Sequence, residues 1–142
     1  MMIRTVFDTN VIVSALLARG GAEAYALDLA VAKKVEMYVT APILREYEQV
    51  PGRTKFKRIR PETIRSALAR IRHVAIVVKP SKRLEISPDE TDNRFIECAE
   101  TSDADYLITG NKRHFPERWK NTTVIGASRL IEILIDATAM DV

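Results

Sequence analysis

The segment that decides the fold is the N-terminal run IRTVFDTNVIVSALL, residues 3–17. Its first five residues, Ile3 to Phe7, are mostly β-branched or aromatic and lead into the polar triplet Asp8-Thr9-Asn10, which is typical of a strand that runs into a loop. Apolar residues then recur from Val11 to Leu16 until Gly20-Gly21 interrupts them, which predicts a short helix. The run therefore predicts a strand, a loop and a helix, with an acidic residue directly after the strand.

Strands and helices alternate in the same way along the rest of the chain. Further strands are predicted at residues 35–39, 74–78, 106–109 and 122–125, and the all-apolar run 74–78 is expected to be covered on both faces. Helices are predicted at residues 22–34, after Thr40, after Pro61, around residues 95–99 and after Gly126. This alternation indicates an α/β protein, a three-layer α/β/α sandwich with a central parallel sheet of about five strands.

Length and composition fit one folded domain over residues 1–142, because a chain of 142 residues leaves little room for a second. The hydrophobic fraction of 46% and the charged fraction of 29% are those of an ordinary globular protein. No apolar run approaches the ~20 residues of a membrane span, and no secretory segment is expected. The single cysteine, Cys98, excludes an intrachain disulfide and favours a cytoplasmic location.

The middle of the chain is basic, although the formal net charge is only +3. Five basic residues lie close together in the connector predicted at residues 51–60, the last of them Arg60. The first four form the basic cluster, namely Arg53, Lys55, Lys57 and Arg58. This basic cluster could bind a polyanion, and a solvated charged surface explains it about as well.

Four polar residues are expected at the carboxyl ends of the parallel strands, where open α/β sheets bind their ligands. They are Asp8 after the first strand, Glu46 in the helix after the second, Asp92 at the start of the helix before the fourth, and Asn111 after the fourth. Three carboxylates at one edge repel one another, and a divalent cation relieves that repulsion. Because the ligands are oxygens and no Cys/His cluster is visible, the pattern indicates Mg²⁺ or Mn²⁺ rather than zinc.

Four segments of the sequence resemble the successive motifs of PIN domains, namely Phe7 to Val11, Pro42 to Tyr47, Asp89 to Ala99 and Ala104 to Asn111. The resemblance covers nearly the whole chain and is closest to the VapC-type toxins of toxin–antitoxin pairs. It implies an Mg²⁺- or Mn²⁺-dependent endoribonuclease in which acids matching Asp8, Glu46 and Asp92 bind the metal and are catalytic. It also implies RNA as substrate, a small antitoxin protein as partner and a homodimer as the assembly.

Asn111 departs from the pattern, since many PIN domains carry a fourth acid at this place. An asparagine can still bind a metal through its carbonyl oxygen or hold a water, so Asn111 is retained as a predicted ligand. Asp105 begins the same strand, roughly 13 Å from its carboxyl end, and is expected to be structural. His114 follows Asn111 closely and is expected either to contact RNA or to pack within its loop.

The expected reaction is in-line attack on an RNA phosphodiester by a metal-activated water. Asp8 and Asp92 would hold the ion, while Glu46 would bind it or orient the water. Asp89 is expected to support these ligands. Thr9, Asn10 and Thr109 are also expected to support them, although turn formation and capping explain these three about as well. The basic cluster would bind the RNA backbone.

Two other functions stay open. A catalytically weak or inactive module that binds RNA or a protein partner would account for Asn111. An aspartyl phosphatase also carries a nucleophilic Asp after its first strand, but that chemistry normally needs a second Asp two residues later, where this chain has Asn10.

Overall fold

The computed structural model describes residues 2–56 and 58–140. These residues form six strands: β1 Arg4–Phe7, β2 Glu36–Val39, β3 Ile76–Val77, β4 Tyr106–Ile108, β5 Arg118–Trp119 and β6 Thr122–Ile125. They also form six α-helices: α1 Thr9–Leu17, α2 Ala22–Val31, α3 Ala41–Gln49, α4 Pro61–Val74, α5 Glu90–Ser102 and α6 Ala127–Met140. Two single 3₁₀ turns cover Thr54–Phe56 and Lys112–His114.

The strands make one twisted sheet in the order β3-β2-β1-β4-β6-β5, and every pairing except β5 with β6 is parallel. Helix α5 packs across β1, β2 and β4, while α2 packs against α1 and α6. The predicted three-layer α/β/α class is therefore confirmed. Strand order reverses between β1 and β4, and such a switch point leaves a crevice at the carboxyl ends of the two strands.

The sheet differs from the predicted one at its β5 edge. A sixth strand, β5, pairs antiparallel with β6 through Arg118 and Trp119. The two strands are joined by the two-residue loop Lys120–Asn121, in which Lys120 has a φ of 53°. Tight hairpins usually have glycine or an Asn-Gly pair at such positions, so this loop gave no clear turn signal.

The apolar run 74–78 also differs from its prediction. Helix α4 continues through Val74, and only Ile76–Val77 pairs as a strand, with β2 as its one neighbour. Ile76 is 39% exposed and Val77 is 56% exposed, so the strand is not covered on both faces. A run of apolar residues does not distinguish a central strand from an edge strand, because that depends on which strands become its neighbours.

Local signals explain several helix starts. The Thr40 hydroxyl accepts a hydrogen bond of 3.3 Å from the Ile43 N–H, which caps α3 as predicted. Pro61 occupies the first turn of α4, where its missing N–H costs no hydrogen bond. Ile64, Leu68 and Ile71 of that helix are buried, as their spacing predicts.

The core holds one buried aromatic side chain with a direct bearing on the carboxyl end of β1. Tyr47 of α3 is fully buried, and its hydroxyl donates a hydrogen bond to the Phe7 carbonyl at the end of that strand.

Cys98 is also buried, and burial raises the pKa of its thiol to about 12, so the thiol is inert. Within the described residues, no helix has both the length and the apolar character needed to span a membrane.

Candidate metal centre at the sheet switch point

The crevice between β1 and β4 is lined by a short hydrogen-bonded chain of polar groups. Asp8 directly follows β1, and its N–H donates to the Ile108 carbonyl at 2.9 Å, which continues the ladder between the two strands. The Thr109 hydroxyl donates to Asp8 Oδ2 at 2.8 Å and accepts from the Asn111 N–H at 3.0 Å. Thr109 therefore fixes the Asp8 carboxylate and the loop after β4 in one arrangement.

Asp8 is only 6% exposed, and this burial raises the pKa of its carboxyl above the usual value. The hydrogen bond from Thr109 opposes that rise, because it stabilises the ionised form. The Thr9 hydroxyl is also buried, and within the described part of the chain it has no hydrogen-bond partner. The start of α1 thus presents a buried carboxylate and an unpartnered hydroxyl.

Asp92 lies in the first turn of α5 and is 7% exposed. Burial raises the pKa of its carboxyl to about 6, and the negative charges of Asp89 and Asp8 add to the rise. His114 Nδ1 lies 3.4 Å from Asp92 Oδ2 and partly offsets the rise in pKa, and this distance is longer than an ordinary N–H···O hydrogen bond. Among the described residues, Asp92 Oδ2 is therefore a buried oxygen without a hydrogen-bond donor.

The start of α5 is positioned by buried polar side chains of the same helix. Asn93 is 1% exposed, its Oδ1 accepts from the N–H groups of Ile86 and Ser87 at 3.0 and 2.7 Å, and its Nδ2 donates to the Ser87 carbonyl at 3.0 Å. Glu97 accepts from the Leu84 N–H at 2.7 Å and pairs with Arg94 at 3.0 Å. These bonds hold the loop before α5 against the helix.

Asp89 ends that loop and caps the helix, since its Oδ1 accepts from the Thr91 N–H at 3.0 Å. One possible ligand atom from each of Asp89, Asp92 and His114 lies within 4.8 Å of the other two. Two ligands of one Mg²⁺ can be at most about 4.2 Å apart, because each lies ~2.1 Å from the ion. The three groups need only a small adjustment to share a cation, and the unpartnered oxygen of Asp92 fits that use.

Glu46 lies on α3 and is half-buried. Its neighbour Tyr47 attaches this helix to the residue before Asp8, and α3 packs against both α1 and α5. Within the described ranges 2–56 and 58–140, the Glu46 carboxylate makes no hydrogen bond or ion pair. The fold therefore brings the helix of Glu46 to those of Asp8 and Asp92, while Glu46 itself stands outside the group formed by Asp89, Asp92 and His114.

Three further polar residues have defined places. Asn111 is exposed at the start of the 3₁₀ turn after β4. Asn10 accepts from the Gly110 N–H at 3.1 Å and thereby joins the loops after β1 and β4. Asp105 accepts from the Arg4 N–H at 2.8 Å at the other end of these strands, which is the structural position expected for it.

The basic cluster occupies the connector between α3 and α4. Arg53, Lys55 and Arg58 are exposed, and Lys55 Nζ lies 5.1 Å from the centre of the Phe56 ring. Lys57 lies outside the described residues. A second basic group, Lys112, Arg113 and His114, forms the 3₁₀ turn after β4 and stands directly beside the acidic residues.

Sequence reasoning did not assign His114 to the group around Asp92. The two residues are 22 positions apart in the sequence, and no local periodicity relates them. The available signal was the placement of His114 three residues after Asn111, just beyond the carboxyl end of β4. The buried Asn93, Arg94 and Glu97 were also missed, because a charged run at a helix start is typical of an exposed surface.

Comparisons with known proteins agree with the fold. A family model described as a PIN domain matches residues 4–113. An uncharacterised protein from Methanocaldococcus jannaschii is 32% identical over 112 residues, which cover 78% of this chain and 72% of that protein. The crystal structure of VapBC2 from Rickettsia felis bound to a DNA fragment from their promoter aligns with a TM-score of 0.55 and 17% identity, over 86% of this chain and 97% of the matched chain. The family match spans most of the chain, which confirms the resemblance seen in its motifs: this chain belongs to the PIN domain family.

Proposed function

We propose that this protein is a metal-dependent endoribonuclease and the toxin of a toxin–antitoxin pair, with Mg²⁺ or Mn²⁺ as its ion. The observation that carries the proposal is the buried carboxylate of Asp92, which has an oxygen without a partner among the described residues and a pKa raised by burial and by the charges of Asp89 and Asp8. Such a carboxylate destabilises the metal-free protein, and a divalent cation removes that cost. PIN domains are generally nucleases, which gives the site a reaction class.

Asp8 and Asp92 are the residues that would hold the ion, with Glu46 and Asn111 as further oxygen ligands. When bound, the ion would activate the attacking water and stabilise charge on the phosphoryl oxygens. The hydroxyl of Thr109 keeps Asp8 oriented, and Asp89 caps the helix that carries Asp92. The exposed side chains of Lys112 and Arg113 would attract the RNA backbone to the acids, which repel it when no ion is present.

The basic cluster at Arg53, Lys55, Lys57 and Arg58 is proposed to extend this RNA contact. For a single strand, each neutralised phosphate contributes about −0.7 to the slope of log affinity against log salt. Changing Arg53 and Arg58 to Ala should therefore flatten the slope by roughly one unit. An unchanged slope would show that these residues are hydrated surface charges that do not contact the RNA.

The partner proposed is a small antitoxin protein, because a solved structure that aligns with this chain is that of VapBC2. A homodimer is proposed as the assembly, and the cytoplasm as the compartment. Co-expression with the product of a short reading frame directly upstream of this gene would test the partner. Copurification of the two proteins and loss of RNA cleavage in their complex are the expected results.

Cleavage itself is tested with single-stranded RNA in Mg²⁺, in Mn²⁺ and in EDTA. Asp8→Asn and Asp92→Asn should each abolish cleavage, and EDTA should abolish it in the unaltered protein. Asp105→Asn is the matched control, since it makes the same chemical change at a carboxylate whose one hydrogen bond within residues 2–56 and 58–140 comes from the Arg4 N–H. If Asp8→Asn protein cleaves as fast as the parent, the site is wrong; RNA binding without cleavage by the parent would favour the inactive binding module.

A further inference from the structure

We propose that His114 supplies a nitrogen ligand to the centre at Asp92 and thereby makes the site prefer Mn²⁺ over Mg²⁺. This inference rests on the metal dependence of the proposed function and adds a ligand to the oxygen set of that site. It starts from the one imidazole that the fold brings to the acids.

The distances carry the first step. His114 Nδ1 and Asp92 Oδ2 are 3.4 Å apart. One ligand atom from each of His114, Asp92 and Asp89 lies within 4.8 Å of the other two. Neighbouring ligands of one octahedral ion are about 3 Å apart, because each lies ~2.1 Å from the ion at right angles to the next. The 3.4 Å separation of His114 and Asp92 is close to that value, and it is longer than an ordinary N–H···O hydrogen bond.

The unpartnered oxygen carries the second step. Asp92 is 7% exposed, and its Oδ2 accepts no hydrogen bond from any residue in the described ranges. If His114 served only to neutralise Asp92, a donating N–H aimed at this oxygen would be the expected geometry. Two polar atoms that lie 3.4 Å apart, one of them buried and without a hydrogen-bond partner among the described residues, fit ligands of a shared ion.

The backbone of His114 is held by the 3₁₀ turn to which it belongs. Its N–H donates to the Asn111 carbonyl at 3.0 Å, and the next residue, Phe115, is 7% exposed and belongs to the core. Phe115 also donates its N–H to the Lys112 carbonyl at 3.2 Å, which closes the 3₁₀ turn. The imidazole is therefore attached to a turn that is held at both ends, although its side chain is 52% exposed.

The chemistry of the ligands carries the selectivity. Mg²⁺ is a hard ion that takes oxygen ligands and keeps several waters. Imidazole binds first-row transition ions more readily than it binds Mg²⁺, and Mn²⁺ is a first-row transition ion that also suits carboxylate and carbonyl oxygens. A site with several carboxylates and one imidazole therefore suits Mn²⁺, and removal of the imidazole should move the preference back toward Mg²⁺.

The test is calorimetric titration of Mn²⁺ and Mg²⁺ into the unaltered protein, His114→Gln and His73→Gln. His73 is the only other histidine in the chain and is exposed in the last turn of α4, so it is the matched control. Loss of an outer partner of a metal ligand typically lowers affinity roughly 10–100-fold, so loss of the ligand itself should weaken Mn²⁺ at least about tenfold. Mg²⁺ binding should change far less, and His73→Gln should match the parent for both ions.

A spectroscopic readout identifies the ligand directly. Pulsed electron paramagnetic resonance of bound Mn²⁺ should show coupling to a ¹⁴N nucleus in the parent and in His73→Gln, and none in His114→Gln. A second variant, His114→Asp, replaces the nitrogen by an oxygen and should bind Mg²⁺ as well as the parent or better, with no ¹⁴N coupling. This variant keeps the test valid if His114→Gln lowers stability.

An equal loss of both ions in His114→Gln, or an unchanged ratio, would overturn the inference, as would absence of ¹⁴N coupling in the parent. Failure of the proposed function looks different, since Mn²⁺ would then bind with ¹⁴N coupling while RNA stays uncut. Cleavage that depends on Asp8 but proceeds without any nitrogen ligand would support the function and refute the role of His114.

Discussion

Asp92→Asn should stabilise the metal-free protein in a strongly pH-dependent way. In the folded state the pKa of the Asp92 carboxyl is raised from 3.8 to about 6, first by burial, then by the charges of Asp89 and Asp8, with His114 opposing the rise. Because the folded state binds the proton more tightly than the unfolded state, the free energy of unfolding falls as the pH rises from about 4 to about 6. Asparagine has nearly the same shape as aspartate, and its side chain does not ionise in this pH range.

The magnitude follows from the shift. A rise of about 2 pKa units at ~1.4 kcal/mol each gives roughly 3 kcal/mol of destabilisation once Asp92 is fully ionised. Roughly 2 kcal/mol of this destabilisation should develop in the parent between about pH 4.5 and about pH 7.5. The variant has no ionisable group at this position, so its stability should not change for this reason. Any fixed cost of placing an amide at this position is the same at both pH values and cancels in the difference.

The assay is urea unfolding in EDTA at the two pH values, for the parent, Asp92→Asn and Asp136→Asn. Asp136 is an exposed carboxylate on α6, and its change should have little effect at either pH. In a parallel series without EDTA at the higher pH, free Mn²⁺ at about 100 times its dissociation constant should stabilise the parent by ~2.7 kcal/mol and the variant by much less. A stability difference that is the same at both pH values, or equal stabilisation by Mn²⁺, would refute the reasoning.

Three more perturbations have defined outcomes. Tyr47→Phe removes the hydroxyl that donates to the buried Phe7 carbonyl and should lower the free energy of unfolding by roughly 1–3 kcal/mol in urea, so an unchanged midpoint would contradict this role. Asn93→Ala removes three hydrogen bonds to the loop before α5 and should lower the free energy of unfolding by roughly 2–3 kcal/mol. Trypsin should then cut the variant faster than the parent at Arg83, and equal cleavage rates would show that other contacts hold the loop. Asn111→Asp should raise Mg²⁺ affinity in calorimetry and slightly lower the melting temperature without metal, because an added carboxylate binds the ion and repels the other acids. No difference from the parent would place Asn111 outside the metal shell.

Much of the fold could be predicted because its signals are local. The strand before Asp8, the cap at Thr40 and the buried stripe of α4 each depend on residues a few positions apart. The extent of β3 and the hairpin of β5 could not be predicted, since both depend on which strands meet. In β3 the structure leaves Val77 more than half exposed, although its sequence reads as a buried strand.

The candidate site shows the same division. The acids after β1 and at the start of α5 could be predicted from their place in a parallel sheet, and the structure links Asp8 to Thr109 across the switch point. The approach of His114 to Asp92 depends on how the loop after β4 turns back, which has no local signature. The burial of Asn93 was equally hidden, because a polar side chain is buried only where tertiary structure supplies its hydrogen bonds.

The two edges of the sheet affect how the protein behaves at high concentration. Each edge strand, β3 and β5, is only two residues long, and β3 is followed closely by Lys79 and Pro80. A foreign strand that aligned with either edge would find few free backbone groups, and proline offers no N–H at all. We therefore expect the folded chain to resist growth of its sheet into fibrils, even though Ile76 and Val77 are apolar and exposed.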